Sequence, residues 1–148
     1  MSTTDRAYPD RPFLAVSAAI IRDGRVLIVR RAGPPAKGIF TLPGGVVEAG
    51  ETLEEAIIRE VKEETTLAIA PVALAGHREV VRRDPDNRVS AHFVILAFAA
   101  RWIGGEFTPN HELSEGSWMN PSDLSGLRTT DGLAEIVAAA YRRLDETP

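Results

Sequence analysis

Residues 42–67 read LPGGVVEAGETLEEAIIREVKEETTL, a glycine-containing turn followed by an acidic segment with the periodicity of a helix. Thr52 and Glu55 have the spacing of a capping box just before an apolar run, which predicts a helix from Thr52 to about Thr65. Apolar residues then recur at helical spacing, at Leu53, Ala56 and Ile57. The helix is therefore expected to bury one face against the rest of the domain.

Three glutamates of this helix, Glu60, Glu63 and Glu64, fall on the same side as its apolar residues. An acidic run on a helix is ordinarily a solvated face. Carboxylates that point toward the protein body repel one another and need a compensating cation, and the single guanidinium of Arg59 does not balance three acids. Hard divalent cations prefer oxygen ligands, so the helix is predicted to be a metal-binding platform.

The composition excludes several classes of protein and of metal site. The chain has 148 residues, of which 44% are hydrophobic and 26% charged, as expected for one globular domain. Its net charge of −4 argues against a primary role in binding nucleic acid or anionic lipid. The sequence has no cysteine and only three histidines, none spaced as a helical pair, so a metal is expected to be bound by oxygen.

The chain outside this stretch is predicted to form strands and one further helix. Strands are expected over residues 13–21, 25–31, 39–42, 72–83, 88–102 and 117–120, with a turn of helix over 121–124. An apolar stripe from Leu133 to Leu144 predicts the last helix, with Thr130 as its cap. This order predicts an α+β fold, an α/β/α sandwich with a mixed β-sheet flanked by helices. We expect a loose N-terminal arm over residues 1–12 and a single domain over 13–148.

Eight residues of the opening stretch form a recognisable signature: Gly45, Glu51, Arg59, Glu60, Val61, Glu63, Glu64 and Leu67. They resemble the signature of the Nudix hydrolases, Gly-x5-Glu-x7-Arg-Glu-apolar-x-Glu-Glu-x-Gly-apolar. The resemblance extends over roughly residues 13–144 and implies the Nudix fold. One position departs from it, because Thr66 replaces the last glycine. A left-handed turn there would cost a β-branched residue about 1–2 kcal/mol.

The resemblance implies metal-dependent hydrolysis of a nucleoside diphosphate linked to another moiety, with Mg²⁺ or Mn²⁺ as cofactor. The metal ligands that it implies are Gly44, through its carbonyl, Glu60, Glu63 and Glu64. It also implies that Arg59 orients these acids during catalysis and that Glu51 holds the glycine turn to the helix.

Nudix hydrolases usually take one further catalytic acid from a loop after the sheet. Glu112 and Glu115 both fall in the polar segment 107–115, which is predicted to be that loop. We favour Glu112 as the base or as a further ligand, and a solvated loop glutamate is the alternative for either residue.

Three residues near the glycine turn are candidates for binding substrate: Arg30, Arg31 and Phe40. The arginine pair ends a strand and could face the phosphates, or it could be a surface pair. Phe40 could stack on a base, but packing in the core is the favoured interpretation.

The substrate is predicted from a shorter resemblance. Residues 83–85 (RDP) and 88–90 (RVS) resemble a turn-and-strand stretch of many small ADP-ribose pyrophosphatases of the family. The favoured reaction is cleavage of ADP-ribose to AMP and ribose 5-phosphate. The alternatives are a nucleoside triphosphate pyrophosphohydrolase that cleans the nucleotide pool and a non-catalytic nucleotide-sensing module. The intact acids disfavour the sensing module.

No targeting segment is visible, and the longest apolar run, residues 91–100, is too short to span a bilayer. We therefore expect a cytoplasmic protein whose partner is a small nucleotide, with no nucleic-acid or membrane partner. A homodimer is left open.

Overall fold

The computed structural model describes residues 6–34 and 36–147 of the chain, and the predictions for residues 1–5, Pro35 and Pro148 lie outside the described residues. The elements are β1 (Phe13–Arg22), β2 (Arg25–Arg31), β3 (Phe40–Thr41), β4 (Gly44–Val46), α1 (Leu53–Thr65), β5 (Ala68–Arg83), β6 (Val89–Gly104), β7 (Leu113–Met119) and α2 (Leu133–Asp145). A 3-10 helix, Pro121–Gly126, lies between β7 and α2.

The strands form one mixed sheet in the order β3-β2-β1-β6-β5, with β4 paired to β1 and β7 paired to β2. β1 and β6 run parallel, with Phe13 beside Phe93 and Ile21 beside Arg101, whereas the long β5 and β6 form an antiparallel pair. The prediction of a mixed sheet is confirmed.

One helix covers each face of this sheet. α1 buries Ala56 and Ile57 in a core that includes Ile20 of β1, and α2 buries Val137 in a second core that includes Ala19. Neighbouring residues of β1 therefore enter different cores, because side chains alternate between the faces of a strand. The α/β/α sandwich is confirmed.

Several predicted bounds differ from the structure because strand pairing decides them. β5 begins at Ala68 rather than at residue 72, since it is an edge strand that tolerates Pro71 beside an irregularity in the register. β7 begins at Leu113 rather than at residue 117, since Leu113 pairs with Arg31 of β2. The sequence pattern does not predict the three-residue β4, because its two glycines give no strand signal.

Thr130 does not cap α2, and this prediction is wrong. The N-cap is Gly132, which makes no capping side-chain hydrogen bond, and the Thr130 hydroxyl lies 3.1 Å from that of Thr41. The hydroxyl therefore links the segment before α2 to β3, a long-range contact that a local capping pattern does not reveal.

The described part of the predicted N-terminal arm contacts the β5–β6 hairpin. The Tyr8 hydroxyl donates to Asp84 Oδ2 at 2.9 Å, and the Tyr8 N–H donates to the Ser90 carbonyl at 3.0 Å. These bonds attach the arm to the end of the sheet that lies near the turn between β5 and β6.

Candidate active site

The site begins where the glycine turn passes against β1. Gly44 pairs with Ser17, and a Cβ added to Gly44 would lie only 2.0 Å from the Val16 carbonyl oxygen. Glycine is therefore required for β4 to approach β1. α1 then starts with the predicted capping box, in which the Thr52 hydroxyl accepts from the Glu55 N–H at 3.1 Å and Glu55 Oε1 accepts from the Thr52 N–H at 2.9 Å.

Arg59 lies at the centre of a hydrogen-bond network. Its Nε and Nη2 donate to the two oxygens of Glu51 at 2.6 and 2.8 Å, and Nη2 also donates to the Val46 carbonyl at 3.1 Å. Its Nη1 donates to Glu60 at 2.8 Å and to Glu63 at 3.2 Å. One guanidinium thus orients three carboxylates and fixes the end of β4 to the helix.

Both side chains of the Arg59–Glu51 pair strongly favour their charged forms. The hydrogen bonds from Arg59, together with one from the Glu48 N–H, lower the pKa of Glu51 to about 2. The Glu51 carboxylate in turn raises the pKa of Arg59 above its ordinary value. Glu51 therefore acts as a fixed anion that joins the turn to the helix.

The Glu60 carboxyl packs directly on the backbone of the glycine turn. A Cβ added to Gly45 would lie 2.3 Å from both Cδ and Oε2 of Glu60. The Glu60 side chain is 15% exposed, and its burial raises its pKa against the opposing effect of Arg59. Gly45 therefore leaves space for the Glu60 side chain, whereas Gly44 leaves space for the backbone of β1.

Glu64 is the most perturbed acid of the helix. Burial raises its pKa to about 8 although the Gly44 N–H, which donates to Glu64 Oε1 at 2.9 Å, favours the charged form. The carboxyls of Glu112 and Glu60 raise this pKa further, and Glu112 lies within hydrogen-bond reach of Glu64. Carboxyls held together at such an electrostatic cost indicate a site for a cation.

The structure separates acids that the sequence grouped together. All three helix acids are predicted to point toward the protein body, but only Glu60 and Glu64 are half-buried. Glu63 contacts Arg59 with a side chain that is 60% exposed. Glu115 lies in β7 rather than in a loop, opposite Arg30, with 4.0 Å between Oε1 and Nη1.

The predicted substrate-binding residues lie around the turn at Gly38. Arg30 Nε donates to the Gly38 carbonyl at 3.4 Å, and the Arg30 guanidinium carbon is 5.5 Å from the centre of the Phe40 ring. Phe40 packs against the core beneath α2. Arg31 is exposed, and its carbonyl accepts from the Gly38 N–H at 2.8 Å.

Thr66 preserves the left-handed exit of the helix despite its β-branched side chain. Its φ of 68° and ψ of 8° are left-handed, and its N–H donates to the Lys62 carbonyl at 3.1 Å. Its hydroxyl donates to the carbonyl of Glu106, and this hydrogen bond offsets part of the backbone strain.

Sequence reasoning missed Asn110. The Asn110 Nδ2 donates to the Glu64 carbonyl at 2.6 Å, and its Oδ1 accepts from the N–H of Glu112 at 2.9 Å. An asparagine in a polar loop carries no signal for such a role, because the contact joins residues 46 positions apart.

The donor set has the chemistry of a hard divalent cation site, since carboxylate and carbonyl oxygens suit Mg²⁺ and Mn²⁺. Within residues 6–34 and 36–147, no three His, Cys, Asp or Glu side chains are already arranged to hold a metal. Glu60 and Glu63 bond to Arg59 instead, and Glu64 bonds to Gly44. Each of these hydrogen bonds uses one oxygen of its carboxylate, so metal binding requires the second oxygens to converge on the ion while Arg59 keeps its own contacts.

The chain is similar in sequence to several known proteins. It is 38% identical over 116 residues to an ADP-ribose pyrophosphatase of Methanocaldococcus jannaschii, which covers 78% of this chain and 66% of that protein. It is 30% identical over 142 residues to the NAD-capped RNA hydrolase NudC of Photobacterium profundum. That match covers 95% of this chain and 47% of the relative, so the chain spans about half of the NudC protein.

A solved structure and a family model lead to the same family as these relatives. The crystal structure of a MutT NUDIX hydrolase from Burkholderia pseudomallei matches with a TM-score of 0.73 at 29% identity, over 88% of this chain and 98% of that one. A model of the NUDIX domain family matches residues 11–144. The glycine turn, the acidic helix and the sandwich around them are thus those of one family, and the chain belongs to the Nudix hydrolases.

Proposed function

We propose that this chain is a divalent-metal-dependent pyrophosphatase that splits ADP-ribose into AMP and ribose 5-phosphate. The observation that carries the proposal is the convergence of Glu60, Glu64 and Glu112 beside the Gly44-Gly45 turn. Such a group of acids suits a metal-bound diphosphate and repels a bare one.

Each residue of the site has a part in the proposed reaction. Glu60, Glu63, Glu64 and the Gly44 carbonyl would hold Mg²⁺ or Mn²⁺, and Arg59 would keep the carboxylates oriented. The bound ion would neutralise the diphosphate and lower the pKa of the attacking water. Glu112 would accept a proton from the attacking water as the water oxygen bonds to one phosphorus of the substrate, and the bridging P–O bond would break so that the other phosphate leaves as its monoester.

The choice of ADP-ribose is supported by the relative from Methanocaldococcus jannaschii, an ADP-ribose pyrophosphatase. The sequence stretch that suggested this substrate, residues 83–85, lies at the turn between β5 and β6. There the Asp84 carboxylate accepts from the N–H groups of Asp86 and Arg88, both at 2.9 Å. Because Asp84 uses these bonds to close the turn, its carboxylate supports the choice of ADP-ribose only indirectly, by fixing the shape of the β5–β6 hairpin.

The substrate is tested by comparing kcat/KM for ADP-ribose, NAD⁺ and an oxidised nucleoside triphosphate at equal Mg²⁺. We expect a preference of more than about tenfold, or 1.4 kcal/mol, for ADP-ribose, with AMP as product. A preference of more than about tenfold for the triphosphate, with pyrophosphate released, would show that a nucleoside triphosphate is the substrate. That result would not contradict the proposed metal site. Binding of all three compounds without turnover would instead indicate a nucleotide-sensing module.

The cofactor is tested separately. We expect no turnover after treatment with EDTA and recovery on addition of Mg²⁺ or Mn²⁺, with calorimetric titrations of both ions showing which binds more tightly. Turnover that persists in EDTA would contradict the metal-dependent mechanism.

We further propose a cytoplasmic enzyme that acts on a small nucleotide without a nucleic-acid or membrane partner. The net charge of −4 supports this proposal. Among the described residues, no helix is both long enough and apolar enough to cross a bilayer. Cell fractionation tests the location, and sedimentation of the purified protein decides between a monomer and a homodimer.

A further inference from the structure

We propose that Asn110 is a positioning residue that fixes the backbone of Glu112 against the end of α1, so that the Glu112 and Glu64 carboxyls meet. The proposal rests on the function proposed above, since it concerns the same site. Asn110 itself is not expected to touch the substrate.

Both ends of the Asn110 amide are engaged. Nδ2 donates to the Glu64 carbonyl at 2.6 Å, and Oδ1 accepts from the N–H groups of Glu112 at 2.9 Å and Leu113 at 3.0 Å. The backbone N–H of Asn110 donates to the Leu113 carbonyl at 2.9 Å. One side chain therefore joins the backbone of the helix acid directly to the backbone of the loop acid.

This link requires an amide group. The Glu64 carbonyl is one of the last four of α1, which have no partner within the helix and need an outside donor. The two loop N–H groups need an acceptor on the same side chain. Aspartate supplies the acceptor but not the donor, and rotating the amide by 180° would place NH₂ against two N–H groups.

The Glu112 side chain needs such support because it is 58% exposed. A mobile loop would leave its carboxyl free to leave Glu64, whereas a fixed backbone limits it to a few rotamers. Catalytic acids that are held in place react faster than acids that must be ordered during each turnover.

Other contacts hold the loop independently of Asn110. The Glu112 carbonyl accepts from the Ala32 N–H at 2.8 Å, and the Gly105 carbonyl accepts from Trp102 Nε1 at 3.0 Å. Because these anchors remain, an Asn110 variant is expected to fold.

The first test measures amide hydrogen exchange by NMR in the metal-free protein, so it does not depend on activity. Asn110→Ala should speed exchange at Glu112 and Leu113 by at least about tenfold. Asn110→Asp should retain much of the protection, since it keeps the acceptor. Ser114→Ala is the matched control, because the Ser114 hydroxyl only approaches the Arg30 carbonyl, at 3.5 Å.

The second test is a double-mutant cycle with Glu112→Gln. Alone, Asn110→Ala should lower kcat about 10–100-fold while KM changes less than about threefold. In the Glu112→Gln protein the same change should cost less than about threefold, because the acid on which Asn110 acts is already lost.

Each result decides a separate point. Unchanged exchange at Glu112 and Leu113, or wild-type kcat in Asn110→Ala, would overturn the positioning role. A full further loss of kcat in the Glu112→Gln background would also overturn it, because Asn110 would then act by another route. If the wild-type protein does not cleave ADP-ribose, the proposed function fails while the exchange measurement still decides whether Asn110 holds the loop.

Discussion

Arg59 and Glu51 are joined by two hydrogen bonds, 2.6 Å from Nε to Oε2 and 2.8 Å from Nη2 to Oε1. Their side chains are 24% and 17% exposed, so the pair is shielded from much of the solvent. A planar guanidinium matches both oxygens of a carboxylate, which a lysine ammonium cannot do. The pair therefore joins the segment after the glycine turn to α1, the two parts of the candidate site.

This pair predicts a specific dependence of stability on pH. The pKa of Glu51 is about 2 in the folded protein, against an ordinary value of 4.5. Between these values the unfolded chain binds a proton that the folded protein does not. The contribution of Glu51 to the free energy of unfolding is therefore complete above about pH 4.5 and is lost as the pH falls toward 2.

Glu51→Gln should flatten this fall in stability. The measurement is urea unfolding of the EDTA-treated protein between pH 5 and pH 2.5. Glu54→Gln, at an exposed glutamate of the same helix, is the control and should keep the wild-type slope. Equal slopes in the wild type and in Glu51→Gln would contradict the prediction.

Glu64→Gln tests whether activity resides in the helix acids. Glutamine keeps the volume of the side chain and an oxygen that can accept from the Gly44 N–H, but it cannot ionise to form a charged metal ligand. We expect kcat to fall by at least about 10²-fold and Mn²⁺ to bind more weakly, with the fold retained. Glu54→Gln should have nearly wild-type turnover, and nearly wild-type turnover in Glu64→Gln would refute the assignment.

The two glycines of the turn should fail in different ways when each is changed to alanine. A Cβ at Gly44 meets the backbone of Val16, which cannot move without disturbing β1, whereas a Cβ at Gly45 meets the flexible end of Glu60. Gly44→Ala should therefore destabilise the fold by several kcal/mol, about the scale of severe overpacking. Gly45→Ala should fold but lose activity, because a site acid is displaced.

Thermal unfolding and kcat of both glycine variants check this contrast. Gly126→Ala is the control, because a Cβ at Gly126 would meet nothing within 4 Å. Full activity in Gly45→Ala would show that Glu60 does not need its present position.

The parts of the fold that follow local rules could be predicted from the sequence. α1 matches its predicted bounds because its capping box and apolar spacing lie within the helix itself. The turn between β1 and β2 is similar, since Asp23 and Gly24 both adopt the positive φ that Asp-Gly favours in hairpins.

The features that sequence reasoning missed depend on distant residues. Glu115 is a strand residue because β2 supplies Arg30 as its partner, and Thr130 meets Thr41 across 89 positions of the chain. The contact of Asn110 with Glu64 spans 46 positions. No local pattern contains these pairings, so neither the loop acid nor its support could be fixed from one sequence.

Thr66 offers a test of how the chain compensates for a missing glycine. Thr66→Gly removes about 1–2 kcal/mol of left-handed strain but also loses the hydrogen bond to the Glu106 carbonyl, worth about 0.5–1.5 kcal/mol. The free energy of unfolding should therefore rise by at most about 1.5 kcal/mol or fall by at most about 0.5 kcal/mol. Thr66→Ala keeps the strain and loses the bond, so it should be the less stable variant.

Urea unfolding of the two Thr66 variants and of the wild type decides this balance. An alanine variant as stable as the glycine variant would show that the left-handed conformation costs little at the end of α1. A glycine variant much less stable than the wild type would show that the hydroxyl contributes more than the backbone strain.

Glu112 and Glu115 provide the last prediction, because they are three positions apart but lie in different surroundings. The Glu112 carboxyl reaches Glu64, whereas Glu115 sits opposite Arg30 on the sheet, with 4.0 Å between the charged groups and a half-exposed side chain. An exposed ion pair contributes little to stability, so Glu115→Gln should leave both folding and kcat close to wild type.

Glu112→Gln should lower kcat by about 10²–10⁴-fold if Glu112 accepts the proton of the attacking water. The measurement is kcat for both variants with saturating Mg²⁺. The opposite ranking would transfer the role to Glu115, and two variants with wild-type kcat would show that the base lies outside this loop.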